Sequence, residues 1–342
     1  MNIVGIDIGG ANLKLSDARG RSLSRPFPLW KQPRDLPLAL ANMLPADEVD
    51  AFAVTMTGEL ADCFRTKAAG VDRILGAVET VARGKPILVW QTAGEFVTPD
   101  EARDTPQLVA AANWHVLATY AGRFVPEGTG LLIDVGSTTT DVIPLHDGLP
   151  NSLGRTDRER LTSGELVYTG VRRTPLCAIR QCVQLGDKRI GLAAELFATT
   201  LDVFLWKNDI AEDVDDGDTA NGRPATRSEA GERLARMICC DRTEVGDDEI
   251  DEMCRQFAQH QFDQIVHAVK SVVARSNEPP HSVLVSGSGE FLAERVARSH
   301  GDLQGAEVVS LTRAFGETIS ASACAYAAAC LLTERLGPLG DA

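Results

Sequence analysis

Positive charge is in short supply along this chain: Lys and Arg together number 34 against 48 Asp and Glu, for a formal charge of −14. That balance argues against a nucleic-acid backbone as the main partner, because binding a phosphate strand relies on a basic surface. A local basic pocket stays open. Cys-x-x-Cys pairs are absent: the eight cysteines stand apart at 63, 177, 182, 239, 240, 254, 324 and 330, and no histidine lies at metal-ligand spacing from them. Reduced, mostly buried thiols are the expectation. There is no uninterrupted apolar run of about 18 residues, the length a membrane span needs. The start also lacks the charged, apolar and small regions of a signal peptide. A cytoplasmic protein with no membrane segment is expected. The 44% hydrophobic share is ordinary for a globular chain, and 342 residues are long for one core, so two domains are expected.

What is present begins at the first residues. Ile3-Val-Gly-Ile-Asp7-Ile-Gly9-Gly10-Ala-Asn12-Leu-Lys14-Leu15 reads as an apolar strand, an aspartate, a glycine turn and a second strand. Such a turn lets backbone N–H groups approach an anion, and Asp7 can hold a cation. A Gly-Gly turn is also common as mere structure. The pattern returns 127 residues later as Ile133-Asp134-Val-Gly136-Ser137-Thr138-Thr139-Thr140-Asp141-Val142, with Asp7 on Asp134 and Lys14 on Asp141. Two such hairpins at domain spacing indicate an internal duplication.

Between and beyond them strands alternate with helices, which indicates an α/β layer. Ser16 to Pro28 reads as a turn-rich connection, residues 51–56 as a strand, 71–83 as an amphipathic helix and 98–118 as mostly helical. Residues 151–278 turn helical, with helices expected over 195–206, 228–239 and 250–274. Asp209 to Asp218 holds six acidic residues in ten and reads as a solvated loop. Ser286-Gly287-Ser288-Gly289 joins a strand to a helix starting at Glu290, a turn able to cradle phosphate or sugar hydroxyls.

With two strand-Asp-Gly hairpins, a late strand-Gly-turn-helix and an Ala-rich last helix, the whole chain resembles the actin-like, sugar-kinase and Hsp70-like ATPase superfamily. The resemblance implies an α/β, two-domain actin-like ATPase fold with a duplicated ribonuclease H-like motif and a helical insertion in the second domain. The first domain is expected over 1–127, completed by a C-terminal helix within 312–342, and the second over 128–311, with its insertion at about 151–278. It also implies phosphate binding by Gly9, Gly10, Asn12, Lys14, Gly136, Ser137, Thr138 and Thr139, and an adenosine-like position at Ser286, Gly287, Ser288 and Gly289. Within that superfamily the chain is similar to the hydantoinase A/oxoprolinase branch, and there to small proteins linked to tetrahydromethanopterin C1 transfer. Residues 6–14, 55–60, 112–114, 133–141 and 222–227 carry this narrower match. Its archaeal members are known as a methanofuran-biosynthesis synthase, a transferase that joins a furfuryl-type diphosphate to a phenol oxygen and releases pyrophosphate.

That chemistry sets the remaining expectations. A pyrophosphate leaving group calls for Mg²⁺ and positive or N–H donors, with Asp7 and Asp134 as metal candidates. The phenol, with a reference pKa of about 10, calls for a base, for which Asp141, Glu59 and Glu165 are candidates. Arg223 and Arg227 are candidates to grip an anionic part of the substrate. The expected ligands are a small-molecule diphosphate and a phenolic acceptor; a homo-oligomer is left open. The alternative is an ATP-dependent kinase, ATPase or hydantoinase-like ring-opening subunit, for which ATP would be the cofactor.

Overall fold

In the computed structural model, which describes residues 1–299 and 301–337, two mixed sheets of like topology stand on either side of a helical middle layer. The first is built from β1 (Ile3–Ile8), β2 (Asn12–Asp17), β3 (Ser22–Pro26), β4 (Ala51–Met56), β5 (Ile87–Gln91) and β6 (Glu95–Val97), in the order β3-β2-β1-β4-β5-β6. β1 runs antiparallel to β2 and parallel to β4. The segment after Ser16, expected as a loose connection, instead forms the end of β2 and the edge strand β3. Helices α1 (Leu36–Ala41) and α2 (Lys67–Ala82) cover the outer face, with Val71, Ile74, Leu75 and Val78 of α2 in the core beneath them.

The stretch expected as mostly helical from Thr98 to Ala118 divides into three short helices: α3 (Pro99–Asp104), α4 (Pro106–Val109) and α5 (Asn113–Ala121). Pro106 can only open a new helix, and Ala111 adopts a left-handed φ of 49° that no α-helix tolerates.

The second sheet comprises β7 (Thr129–Val135), β8 (Thr140–His146), β9 (Leu149–Pro150), β10 (Leu166–Val167), β13 (Ser282–Ser286) and β14 (Glu307–Ser310), ordered β10-β8-β7-β13-β14 with β9 on β8. Again the first strand is antiparallel to the second and parallel to a later one. The duplication therefore extends from the two hairpins to five strands of each sheet, β3-β2-β1-β4-β5 and β10-β8-β7-β13-β14.

Between β8 and β13 lie α6 (Asp157–Ser163), α7 (Leu176–Ile179), the hairpin β11 (Cys182–Leu185) and β12 (Lys188–Gly191), α8 (Thr200–Trp206), α9 (Arg227–Arg236) and α10 (Asp247–Val273). The insertion is thus not purely helical. The helix expected from Glu195 starts only at Thr200, because the Asp202 carboxylate accepts from the Thr199 amide and ends the preceding extended segment there. Past β13 come α11 (Glu290–Ser299), α12 (Leu311–Phe315), α13 (Glu317–Ser320) and α14 (Ala323–Leu336). The last five residues of the segment expected to complete the first domain lie outside the described residues.

One core packs outside each sheet, and a third lies between them. That middle core unites Ile3, Ala51 and Ala53 of the first sheet, Leu132, Ile143 and Leu284 of the second, and the buried faces of α5 and α14. α14 lies so close on β1 that a Cβ at Gly5 would fall 1.9 Å from the Ala325 carbonyl oxygen. The alanines of α14 allow that approach.

Candidate active site

The two hairpins are superimposable residue for residue in their pairing. Asp7 faces Lys14 across the first, and Asp134 faces Asp141 across the second. Each turn closes with the same bond, Gly9 N–H to the Asn12 carbonyl at 3.0 Å and Gly136 N–H to the Thr139 carbonyl at 2.8 Å. Among the described residues no protein acceptor takes the amides of Gly10, Ala11, Ser137 or Thr138. All four residues line one cleft of about 580 Å³, together with Gly9, Asn12, Lys14, Thr139, Asp7, Asp134, Asp141 and Ser286 to Ser288. Unpaired amides around a shared space form an anion-binding concavity.

Both turns are braced from behind by a glycine. A Cβ at Gly58 would come within 3.2 Å of the Gly9 backbone, and one at Gly170 within 2.5 Å of Gly136, Ser137 and Thr138 backbone atoms. Gly287, with φ of 93°, presses against the Val135 carbonyl and the Asp134 carboxylate in the same way. Two helix N-termini end at the cleft without side-chain caps, that of α5 at Asn113 and that of α14 at Ala323 and Cys324. Their free N–H groups add positive potential to a chain whose net charge is strongly negative.

Lys14 and Asp7 form a 3.6 Å ion pair in which Asp7 is buried and Lys14 partly open. Burial pushes the Asp7 carboxyl up in spite of Lys14. For Lys14 the order reverses: burial works against the ammonium, but Asp7 and, further off, Cys324 and Asp134 keep its pKa above the ordinary value. Asp134 is pushed up to about 7, first by burial and then by the facing Asp141 carboxylate. Asp141 finds its countercharge behind the cleft in Arg160, 2.7 Å away, whose guanidinium stacks on Trp114.

The site thus holds a buried carboxyl facing a like charge, Asp134, and an unpartnered buried oxygen, Oδ1 of Asp7. Both fit a divalent ion. No group of three or more His, Cys, Asp or Glu is poised around a metal among the described residues. Two carboxylates completed by phosphate oxygens and water suit Mg²⁺ rather than a dedicated protein cage.

The other candidates fare differently. Glu165 is fully buried outside the cleft, accepting from the Leu153 and Gly154 amides and pairing with Arg275 at 3.0 Å; it anchors a loop. Glu59 is 1% exposed and does not line the cleft, and burial pushes it up to about 7. Arg223 pairs with Glu229 on the surface, and Arg227 donates to the Trp206 carbonyl and stacks on its ring. Neither arginine reaches the cleft. Gly289 sits behind it, against Val135 and Val171. The acidic loop is not simply solvated, since Asp216 and Asp218 line the cleft. Only Cys254, Cys324 and Cys330 are buried thiols.

Two features escaped the sequence reading. Arg172 and Arg173 line the cleft, with their amides donating to the Ser137 carbonyl at 3.0 and 2.9 Å. Nothing periodic marks them. The second feature was legible: Thr55 stands beside Asp7 as Ser286 stands beside Asp134. Thr55-Met-Thr-Gly-Glu59 is thereby the counterpart of Ser286-Gly-Ser-Gly-Glu290. The long insertion in the second half hides that correspondence from any fixed sequence offset.

Two sheets of one topology, each offering a strand-Asp-Gly hairpin to a common cleft, define a protein of the actin-like ATPase and sugar-kinase fold class. The hydantoinase/oxoprolinase family model matches residues 50–335. The chain is 34% identical over 337 residues to (4-{4-[2-(gamma-L-glutamylamino)ethyl]phenoxymethyl}furan-2-yl)methanamine synthase of Methanocaldococcus jannaschii, covering 98% of each chain. A protein of the same name from Methanococcus vannielii is 29% identical over 206 residues, 60% of this chain and 91% of that one. Among solved structures, an archaeal actin homolog in complex with ADP aligns with 97% of this chain and 100% of its own at 16% identity, with a TM-score of 0.46. This chain belongs to the hydantoinase/oxoprolinase family.

Proposed function

We propose that the chain is a transferase forming the phenoxymethyl ether in methanofuran-type cofactor biosynthesis, with an aminomethyl-furanmethanol diphosphate as donor and a tyramine-type phenol as acceptor. The observation that carries this reading is the 34% identity running over 98% of both this chain and the synthase. The cleft supports it chemically. In the reaction the bond between the furfuryl carbon and the diphosphate oxygen breaks, and its electron pair leaves with pyrophosphate. The phenol oxygen bonds to that carbon and gives up its proton.

The free amides of Gly10, Ala11, Ser137 and Thr138, with Lys14, would receive the charge developing on the leaving group. Asp7 and Asp134 would hold Mg²⁺, which when bound neutralises pyrophosphate oxygens. Of the three candidate bases only Asp141 lines the cleft, and it is our choice for the proton acceptor.

Incubation with the furfuryl diphosphate and a tyramine acceptor should give the ether and one equivalent of pyrophosphate, read by mass spectrometry. Asp141→Asn should lower the rate by about 10²-fold or more, the usual scale for a lost general base. Release of γ-phosphate from ATP with no ether formed would overturn the reading.

A further inference from the structure

The cleft is lined by three cationic side chains: Lys14 and the two consecutive arginines. Lys14 is committed to Asp7 at the floor. Arg172 and Arg173 are tied by their amides to the Ser137 carbonyl, so their backbone is rigidly part of the second phosphate turn. Their side chains turn to the acidic loop: Arg172 Nη2 meets Asp216 Oδ2 at 2.5 Å, and Arg173 Nη1 lies 3.5 Å from Asp218 Oδ2. The second contact is an ion pair without a hydrogen bond, and Arg173 Nη1 is buried with no acceptor. The Arg173 guanidinium also lies 5.1 Å from the ring of Trp30, a residue of the first domain, so it already spans the mouth.

The loop that supplies these carboxylates is organised to present them. Asp216 Oδ1 accepts from the Asp218 amide and its carbonyl accepts from the Ala225 amide, each at 2.9 Å. Two carboxylates bound to two guanidiniums at the rim of an anion cleft occupy positions that phosphate oxygens would fill, since arginine binds carboxylate and phosphate with the same fork.

We propose that Arg172 and Arg173 form a phosphate subsite of the cleft, and that Asp216 and Asp218 hold it as internal competitors until the distal phosphate of a bound polyphosphate displaces them. The idea rests on the polyphosphate reading of the cleft and deepens it. It makes the acidic loop a determinant of affinity: each carboxylate must be exchanged for a phosphate oxygen, so a ligand with a single phosphate, satisfied at the hairpins, gains nothing from the exchange.

The test is isothermal titration of the full chain with Mg²⁺-pyrophosphate, Mg²⁺-ATP and inorganic phosphate. Asn at 216 and 218 keeps the turn-forming acceptor and removes the charge. Asp216→Asn with Asp218→Asn should tighten Mg²⁺-pyrophosphate binding by about 3- to 10-fold, and Arg172→Gln with Arg173→Gln should weaken it by about 10-fold or more, with inorganic phosphate little changed in either. The opposite signs are the discriminating result, because a merely structural loop would move both pairs the same way. Weaker or unchanged binding in the Asn variant, with its unliganded melting temperature intact, overturns the proposal. A wild type that answers to Mg²⁺-ATP but not to Mg²⁺-pyrophosphate overturns the diphosphate function instead, and leaves the opposite signs to be read with ATP.

Discussion

Glu59, three residues past the end of β4, has a buried carboxylate whose Oε2 has no partner, while its counterpart in the second half, Glu290, accepts from the Thr312 amide at 3.1 Å and from the Ser310 and Thr312 hydroxyls. The two equivalent positions therefore differ: one carboxylate is fully engaged, the other leaves an oxygen without a partner. Burial, the largest influence, pushes Glu59 from 4.5 up to about 7. A carboxyl raised in the folded state binds its proton more tightly there than in the unfolded chain. Its contribution to stability is therefore fully present below about pH 4.5 and is lost as pH rises through about 7. Glu59→Gln should raise the melting temperature at pH 8 by several degrees and leave it nearly unchanged at pH 5. A thermal melt at the two pH values checks this, and the ceiling is ~3 kcal/mol at 1.36 kcal/mol per pH unit.

At the scale of elements, the two hairpin turns depend on glycines elsewhere in the chain. Gly170→Ala would drive a Cβ into the backbone of Gly136 to Thr138, where all three nearest atoms are 2.5 Å away and none is a flexible side-chain end. The turn must move, and Mg²⁺-pyrophosphate affinity should fall by about 10-fold or more in a titration, a misplacement effect of the usual size. Gly76, inside α2 with nothing within 4 Å of its ideal Cβ, is the matched control. Gly76→Ala should stabilise the fold by about 0.5–1 kcal/mol in urea unfolding and leave ligand affinity alone. Helix boundaries obey equally local rules: α3 begins at a Thr98–Glu101 capping box, and α8 begins where Asp202 accepts from Thr199.

At the scale of the whole molecule, the cleft exists because α5 and α14 separate two sheets that would otherwise share one interior, leaving the hairpin turns to meet above them. The arrangement concentrates carboxylates in the cleft: Asp7, Asp134 and Asp141 all line it. Asp134→Asn removes the like charge facing Asp141, so the unliganded melting temperature at pH 7.5 should rise by a few degrees. The further rise on adding Mg²⁺-pyrophosphate should be lost, together with most of that in Asp7→Asn. A scan with and without ligand separates the two effects.

Much of this was readable from residues alone. The strand-Asp-Gly pattern at 7 and 134 marked both hairpins because an apolar run and a glycine turn are local properties, independent of the rest of the chain. The same locality explains the misreadings. Glu165, Arg223 and Arg227 carry the right chemistry for a site, but their partners are Arg275, Glu229 and Trp206, chosen by packing far from the cleft. Arg172 and Arg173 carried no pattern, Asp216 and Asp218 only that of a solvated acidic loop, and all four became cleft residues when the insertion folded back over the second turn. The sequence by itself determined the two strand-Asp-Gly hairpins and the duplication that pairs them. Only the tertiary structure decided which charges face that shared space, because a side chain's neighbours across a cleft are set by long-range packing and not by spacing along the chain.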